Sequence, residues 1–257
     1  MFATDLIEGV RCTVDERGVA FLTFAHPRSN SLPGAVLAEL ADTLRGLGER
    51  SDVRVVVLGS AGDRAFCAGA SFDELVAISD EDEGLRFFMG FANVINAMRS
   101  IPQLVIGRVQ GKAVGGGVGV ASAVDYCLAT KHAAVKLSEL AVGIGPFVVG
   151  PAVERKLGVS AMSQLAMDAT EWRSAEWAAA HGLYASVHDD AVALDVAVDA
   201  LAERLAASNP EAMAEMKAAF WRGTEDWGEL LAERAAISGR LVLSDFTRQA
   251  IDRFKAG

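Results

Sequence analysis

The sequence predicts an α/β fold with a helical C-terminal region, on three observations. Residues 53–58 are almost continuously apolar, and residues 103–110 form a second strand-like run, as expected for strands buried on both faces. Small-residue loops around Ala68-Gly69-Ala70 and Gly115-Gly116-Gly117 stand between strand-like and helical segments. From Pro151 onward, helical periods dominate.

Residues 10–15 and 19–24 read as a hairpin turning at Glu16-Arg17-Gly18. Residues 26–30 form a loop. Pro33 opens a helix, where its missing N–H costs little. That helix, 35–47, carries Val36, Leu40, Leu44 and Leu47 at helical spacing and is closed by Gly48. After the strand 53–58, a helix spans 84–98, and Pro102 separates it from the strand 103–110. The triple glycine follows this strand and opens another helix. Short strands are expected at 125–129 and 134–137. Helices are then expected at 152–157, 161–167, 175–181, 191–207, 210–221 and 227–243. In the final stretch, 245–255, Phe246, Ile251 and Phe254 only partly share one face. Trp172, Trp177, Trp221 and Trp227 are expected to pack in the core.

Composition narrows the function classes. A chain of 257 residues with 51% hydrophobic and 23% charged residues can bury a large core. A formal charge of −10 argues against nucleic-acid binding and against an anionic membrane surface. Cys12, Cys67 and Cys127 are widely spaced, and neither they nor the histidines show metal-ligand spacing, so no metal is expected. Cys67 reads as small apolar packing. The N-terminus lacks a basic start and an apolar block, and residues 113–124 are too short and glycine-rich to span a bilayer. A cytoplasmic protein is expected.

Residues 109–145 carry the chemistry. A helix N-terminus presents unpaired N–H groups and the positive end of the dipole. Glycines there let a ligand approach the backbone. The run does not fit a P-loop or a dinucleotide fingerprint, and no G-x-S-x-G elbow occurs. Residues 64–75 place small residues at a second such junction. Two junctions can each give one N–H to a single oxygen that becomes negative.

These loops, with Ser29-Asn30-Ser31-Leu32, Asp125, Leu137-Ser138-Glu139 and Ala180-His181-Gly182-Leu183, resemble the crotonase superfamily, the enoyl-CoA hydratase/isomerase group. The resemblance implies a spiral of ββα units over residues 1–200 and a helical trimerisation region over 201–257. It implies an acyl-CoA thioester substrate, a homotrimer or a hexamer of paired trimers, and no cofactor beyond the coenzyme A carried by the substrate. It assigns the oxyanion donors to the N–H groups of Ala70 and Gly116. Arg28, Ala68, Phe254 and Lys255 are implied in CoA binding, the last two closing over CoA from a neighbouring subunit. Phe72 and Lys112 are candidates for the substrate pocket, Lys112 as partner of a substrate carboxylate. Asp125 matches a structural position.

Many hydratases of this group use two glutamates. Glu139 matches one, and its apolar neighbours would raise its pKa and make it a proton shuttle. The other position is Gly119 here. Three readings stay open: Glu139 acts alone, Asp73 or Glu74 enters the site, or the protein is not a hydratase and Gly119 makes room for a bulkier substrate. Residues 115–120 and 137–146 resemble methylglutaconyl-CoA hydratases of leucine catabolism, which interconvert 3-methylglutaconyl-CoA and 3-hydroxy-3-methylglutaryl-CoA. They also resemble dehydratases of polyketide β-branching, which act on a carrier-protein-linked chain. A decarboxylase and a non-catalytic acyl-CoA binding module are the alternatives. An assembly scaffold would show a long apolar heptad, and none is present.

Overall fold

The computed structural model describes the backbone of residues 5–256 and the side chains of 5–253. Strands β1 (Gly9–Val14) and β2 (Val19–Ala25) form an antiparallel hairpin. Helix α1 (Gly34–Gly48), strands β3 (Val55–Ser60) and β4 (Ala65–Cys67), and helices α2 (Phe72–Ala77) and α3 (Glu81–Ser100) follow. Next come β5 (Leu104–Val109), β6 (Lys112–Val114), α4 (Gly116–Ala123), β7 (Tyr126–Thr130) and β8 (Val135–Lys136). A 3-10 turn (Glu139–Val142) leads to α5 (Gly150–Met167), α6 (Ala175–Ala180) and β9 (Ser186–His188). Helices α7 (Ala191–Ala206), α8 (Pro210–Phe220), α9 (Trp227–Val242) and α10 (Asp245–Ala256) complete the chain.

The strands build two sheets. The larger has the order β1-β2-β3-β5-β7-β9 and is parallel from β2 onward. The smaller is parallel, β4-β6-β8. Each pair β3/β4, β5/β6 and β7/β8 gives one strand to each sheet before the chain turns into helix. This is the spiral of ββα units that the family resemblance implies. The strands of the small sheet are two or three residues long, too short to show a period. Hence β4 and β6 are additions to the expected elements, and the triple glycine follows β6 rather than β5. Strand β9 is also an addition, whereas α2 is the helix expected after the first small-residue loop.

Alternation along the large sheet explains its near-continuous apolar strands. Val19, Phe21, Val55, Val57, Ile106 and Leu128 face Leu194 and Val198 of α7. Ala20, Leu22, Phe24, Val56 and Leu58 face the main core with α1 and α3.

Most helices match their expected positions. Helix α3 starts earlier because Asp80 caps it, accepting from the Glu83 N–H at 2.8 Å. The expected helices 152–157 and 161–167 are the two halves of α5, bent at Gly158 (φ 78°). Residues 201–253 pack closely onto the rest. Trp227, Leu231 and Ala235 of α9 join the main core. Where α9 crosses α3, a Cβ on Gly84 would lie 2.6 Å from the Gly239 Cα. Asp125 is buried at the foot of β7 and holds α8. It accepts from the Val105 N–H (2.7 Å) and Trp221 Nε1 (2.8 Å), and pairs with Lys217 Nζ at 3.1 Å. Trp221 and Trp227 are core residues, whereas Trp172 is 40% exposed and is not. Phe246 is exposed and Ile251 buried, so they do not share a face. No described helix is long and apolar enough to cross a membrane.

Candidate active site

The Ser-Asn-Ser-Leu motif is a clamp for the first small-residue loop. Ser29 and Asn30 take left-handed backbone (φ 54° and 56°). The buried Asn30 side chain holds that shape: its Oδ1 accepts from the His26 N–H, and its Nδ2 donates to the Ala61 and Ala65 carbonyls. Ser31 Oγ donates to the Ala70 carbonyl at 2.9 Å. The Leu32 N–H donates to Gly69 O (2.7 Å), and the Ser71 N–H donates to Leu32 O (3.0 Å). These flanking bonds make the parallel bridge to Leu32, so the Ala70 N–H faces away from it.

The triple glycine comes up against this loop. Gly115 has φ 52° and ψ −116°, which a side chain rarely adopts. A Cβ there would also lie 2.9 Å from Glu139 Oε1. Gly116 opens α4, so its N–H has no carbonyl one turn behind it. The Phe91 ring covers Gly116, and a Cβ on Gly117 would meet the Cys67 carbonyl at 2.5 Å. A Cβ on Gly69 would lie 3.7 Å from the Gly116 nitrogen, so the two loops touch. Ala70, Gly116 and Glu139 thus line one cavity of about 760 Å³.

Glu139 faces this cavity from the start of the 3-10 turn. Its Oε2 is fully buried without a hydrogen-bond partner. Removal from water pushes its pKa up to about 7. A carboxyl near that value can both take and return a proton at neutral pH. Among the described residues lining the cavity, Glu139 carries the only carboxyl group. Asp73 instead pairs with Arg28 at 2.5 Å, and Glu74 accepts from the Gly34 N–H at 2.8 Å, capping α1. Neither enters the site, which overturns the second reading.

Gly119 does not open space for a larger substrate either. A Cβ there would lie 2.4 Å from Val149 Cγ1 and 2.6 Å from Val149 Cβ. The Val149 side chain, which lines the cavity, fills that room. The expected vacancy beside the reacting carbons is therefore an apolar wall.

Arg28, Ala68 and Phe72 also line the cavity, together with Phe87, Phe88, Phe91 and Ile144. Lys112 is not among the lining residues: it lies on the surface with its Nζ 4.7 Å from the Trp172 ring centre. Lys136, on the neighbouring strand β8 opposite Val114, lines the cavity instead. The side chains of Phe254 and Lys255 lie outside the described residues. Ser238 of α9, with Ala250 and Arg253 of α10, closes one side of the cavity from the same chain. Cys67 is buried with a thiol pKa pushed up to about 12 by burial, which makes it a poor nucleophile. Val149, Lys136 and the C-terminal wall escape sequence reasoning, because each reaches the site only through packing. The strand-end position of Lys136, three residues before Glu139, is the one signal that could have marked it.

Known proteins show the family. The family model described as "Enoyl-CoA hydratase/isomerase" matches residues 15–251. YngF of Bacillus subtilis (strain 168), named for the same family, is 31% identical over 54% of this chain and 54% of its own. Ethylmalonyl-CoA decarboxylase of Gallus gallus is 27% identical over 61% of this chain and 53% of its own. The matched stretch thus spans about half the length of these curated relatives. Among solved structures, an enoyl-CoA hydratase from Mycobacterium smegmatis superposes with a TM-score of 0.79 at 30% identity, covering 96% of both chains. One from Mycobacterium avium subsp. paratuberculosis K-10 gives 0.83 at 26% identity, covering 96% of this chain and 99% of that one. The family match covers nearly the whole described chain, and the chain belongs to the enoyl-CoA hydratase/isomerase family.

Proposed function

We propose that the protein forms and discharges the enolate of an acyl-CoA thioester with Glu139 as its one carboxyl acid/base. The observation that carries this is the lone carboxyl among the described residues lining the cavity, with Val149 filling the room beside Gly119. In this reading the thioester oxygen accepts from the Ala70 and Gly116 N–H groups. Loss of one such donor costs about 2.7–4 kcal/mol in comparable sites.

A single carboxyl suits a same-face elimination. Glu139 takes the α-proton and returns it to the departing β-hydroxyl, so protons balance without a second acid. A tertiary β-carbon also gains from the more substituted double bond that the elimination forms. This favours dehydration of a branched substrate such as 3-hydroxy-3-methylglutaryl-CoA over hydration of a linear enoyl-CoA. The second reading is decarboxylation, in which loss of CO₂ leaves the enolate and Glu139 only protonates it. The apolar Val149 wall favours it, and the ethylmalonyl-CoA decarboxylase relative is consistent with it.

The test is an assay of 3-hydroxy-3-methylglutaryl-CoA, crotonyl-CoA and ethylmalonyl-CoA with product mass as the readout. Loss of water from the branched substrate supports the first reading, and loss of CO₂ from ethylmalonyl-CoA the second. Inactivity on all three, or full activity in Glu139→Gln, overturns the proposal. A trimer or hexamer belongs to the same reading and is tested by light scattering.

A further inference from the structure

We infer that Lys136, steadied over Trp172 beside Lys112, anchors a carboxylate at the far end of the substrate's acyl chain. The inference rests on the acyl-CoA reading above and adds a recognition element to it.

Position comes first. Strand β8 pairs with β6, setting Lys136 opposite Val114, and both residues line the cavity. The Gly115 N–H donates to the Lys136 carbonyl at 2.8 Å, so this lysine stems from the backbone that shapes the donor loop. Ser138 and Thr170 line the cavity as well and add hydroxyl groups to its walls. The segment holding Thr170 is fixed by a two-way backbone bridge between Val135 and Arg173, each bond 2.9 Å. That bridge brings Trp172 alongside the small sheet.

Charge comes second. The Nζ atoms of Lys136 and Lys112 each lie 4.7 Å from the centre of the Trp172 ring. A cation–π contact orients an ammonium without neutralising it. Among the described residues no salt bridge forms to either lysine, although the chain carries a net charge of −10. Two cations without a salt bridge share one ring in an acidic protein, and one of them lines the cavity, which Arg28 and Arg253 also line. Such a corner attracts an anion.

The anion is a carboxylate on the acyl chain rather than a CoA phosphate. The thioester oxygen belongs at Ala70 and Gly116, adjacent to the backbone of Lys136. The phosphates of CoA lie a full pantetheine arm from that oxygen, farther than a lysine side chain reaches from this position. A carboxylate a few carbons beyond the thioester is within reach.

Binding tests this without requiring turnover. Calorimetry with glutaryl-CoA and pentanoyl-CoA compares two five-carbon thioesters that differ in the terminal carboxylate. The wild type should prefer glutaryl-CoA. Lys136→Met should weaken glutaryl-CoA by about tenfold, the scale of one charged hydrogen bond, and leave pentanoyl-CoA within about twofold. Lys136→Arg should keep the preference, which guards against a folding artefact. Equal loss for both thioesters assigns Lys136 to CoA itself and overturns the inference, as does an unchanged glutaryl-CoA affinity. Binding of neither thioester by the wild type overturns the acyl-CoA reading as well, so the two failures are distinguishable.

Discussion

Val149 occupies the volume that a side chain at Gly119 would need: a Cβ on Gly119 would lie 2.4 Å from Val149 Cγ1. The two positions are thirty residues apart, one inside α4 and the other at the N-cap of α5. Val149 lines the cavity, so this packing gives it an apolar wall there. The missing second carboxyl is therefore a packed feature rather than a hole.

This relationship predicts the outcome of restoring the carboxyl. Gly119→Glu alone should destabilise the fold by about 1–3 kcal/mol, because the new side chain collides with Val149. Adding Val149→Gly should recover most of that loss and raise crotonyl-CoA hydration above the wild type. Urea midpoints and hydration rates check both parts. Recovery of stability with no gain in hydration would show that a second carboxyl is not what the site lacks.

The buried carboxyl predicts a pH-dependent stability. Burial holds the folded pKa of Glu139 at about 7, above its ordinary value of 4.5. Between these values the folded state binds more protons than the unfolded state, so stability falls as pH rises and levels off above about pH 7. Glu139→Gln should flatten this slope and be more stable than the wild type at pH 8, by up to about 3 kcal/mol. Denaturation at pH 5 and pH 8 measures the difference. An identical slope in both proteins contradicts the buried assignment.

The direction of the pH–rate profile separates the two proposed reactions. Dehydration needs Glu139 ionised to take the α-proton, so its rate should rise through about pH 7. Decarboxylation needs it protonated to quench the enolate, so that rate should fall through the same range. Rates on the accepted substrate from pH 5 to pH 9 decide, and Glu139→Gln should lack the limb.

Lys217 and Asp125 are 3% and 5% exposed at the side chain and lie 3.1 Å apart. Lys217 Nζ also donates to the Gln103 carbonyl at 2.6 Å. Lys217→Met should therefore cost about 3–5 kcal/mol, since it strips a buried carboxylate of its cation. Adding Asp125→Asn should regain part of that loss. Additive losses in a double-mutant cycle would mean the pair is not coupled.

Much of this protein is legible one segment at a time. The apolar runs of β3 and β5 declare strands covered on both faces, and the spacing of Val36, Leu40, Leu44 and Leu47 declares a helix. Two small-residue loops and Glu139, with its apolar neighbours, mark where an anionic intermediate and a proton carrier could meet. Those features are local, because propensity, period and turn chemistry act over a few residues. The tertiary structure decided what local pattern does not encode. It closed β4, β6 and β8 into a second sheet, and it folded the Asn30 turn onto the Ala70 loop. It tied Asp73 to Arg28 and Glu74 to the Gly34 N–H, and moved Lys112 out while bringing Lys136 in. It also set Val149 over Gly119. Each of these depends on which distant atoms share a volume, a condition fixed only when the whole chain packs.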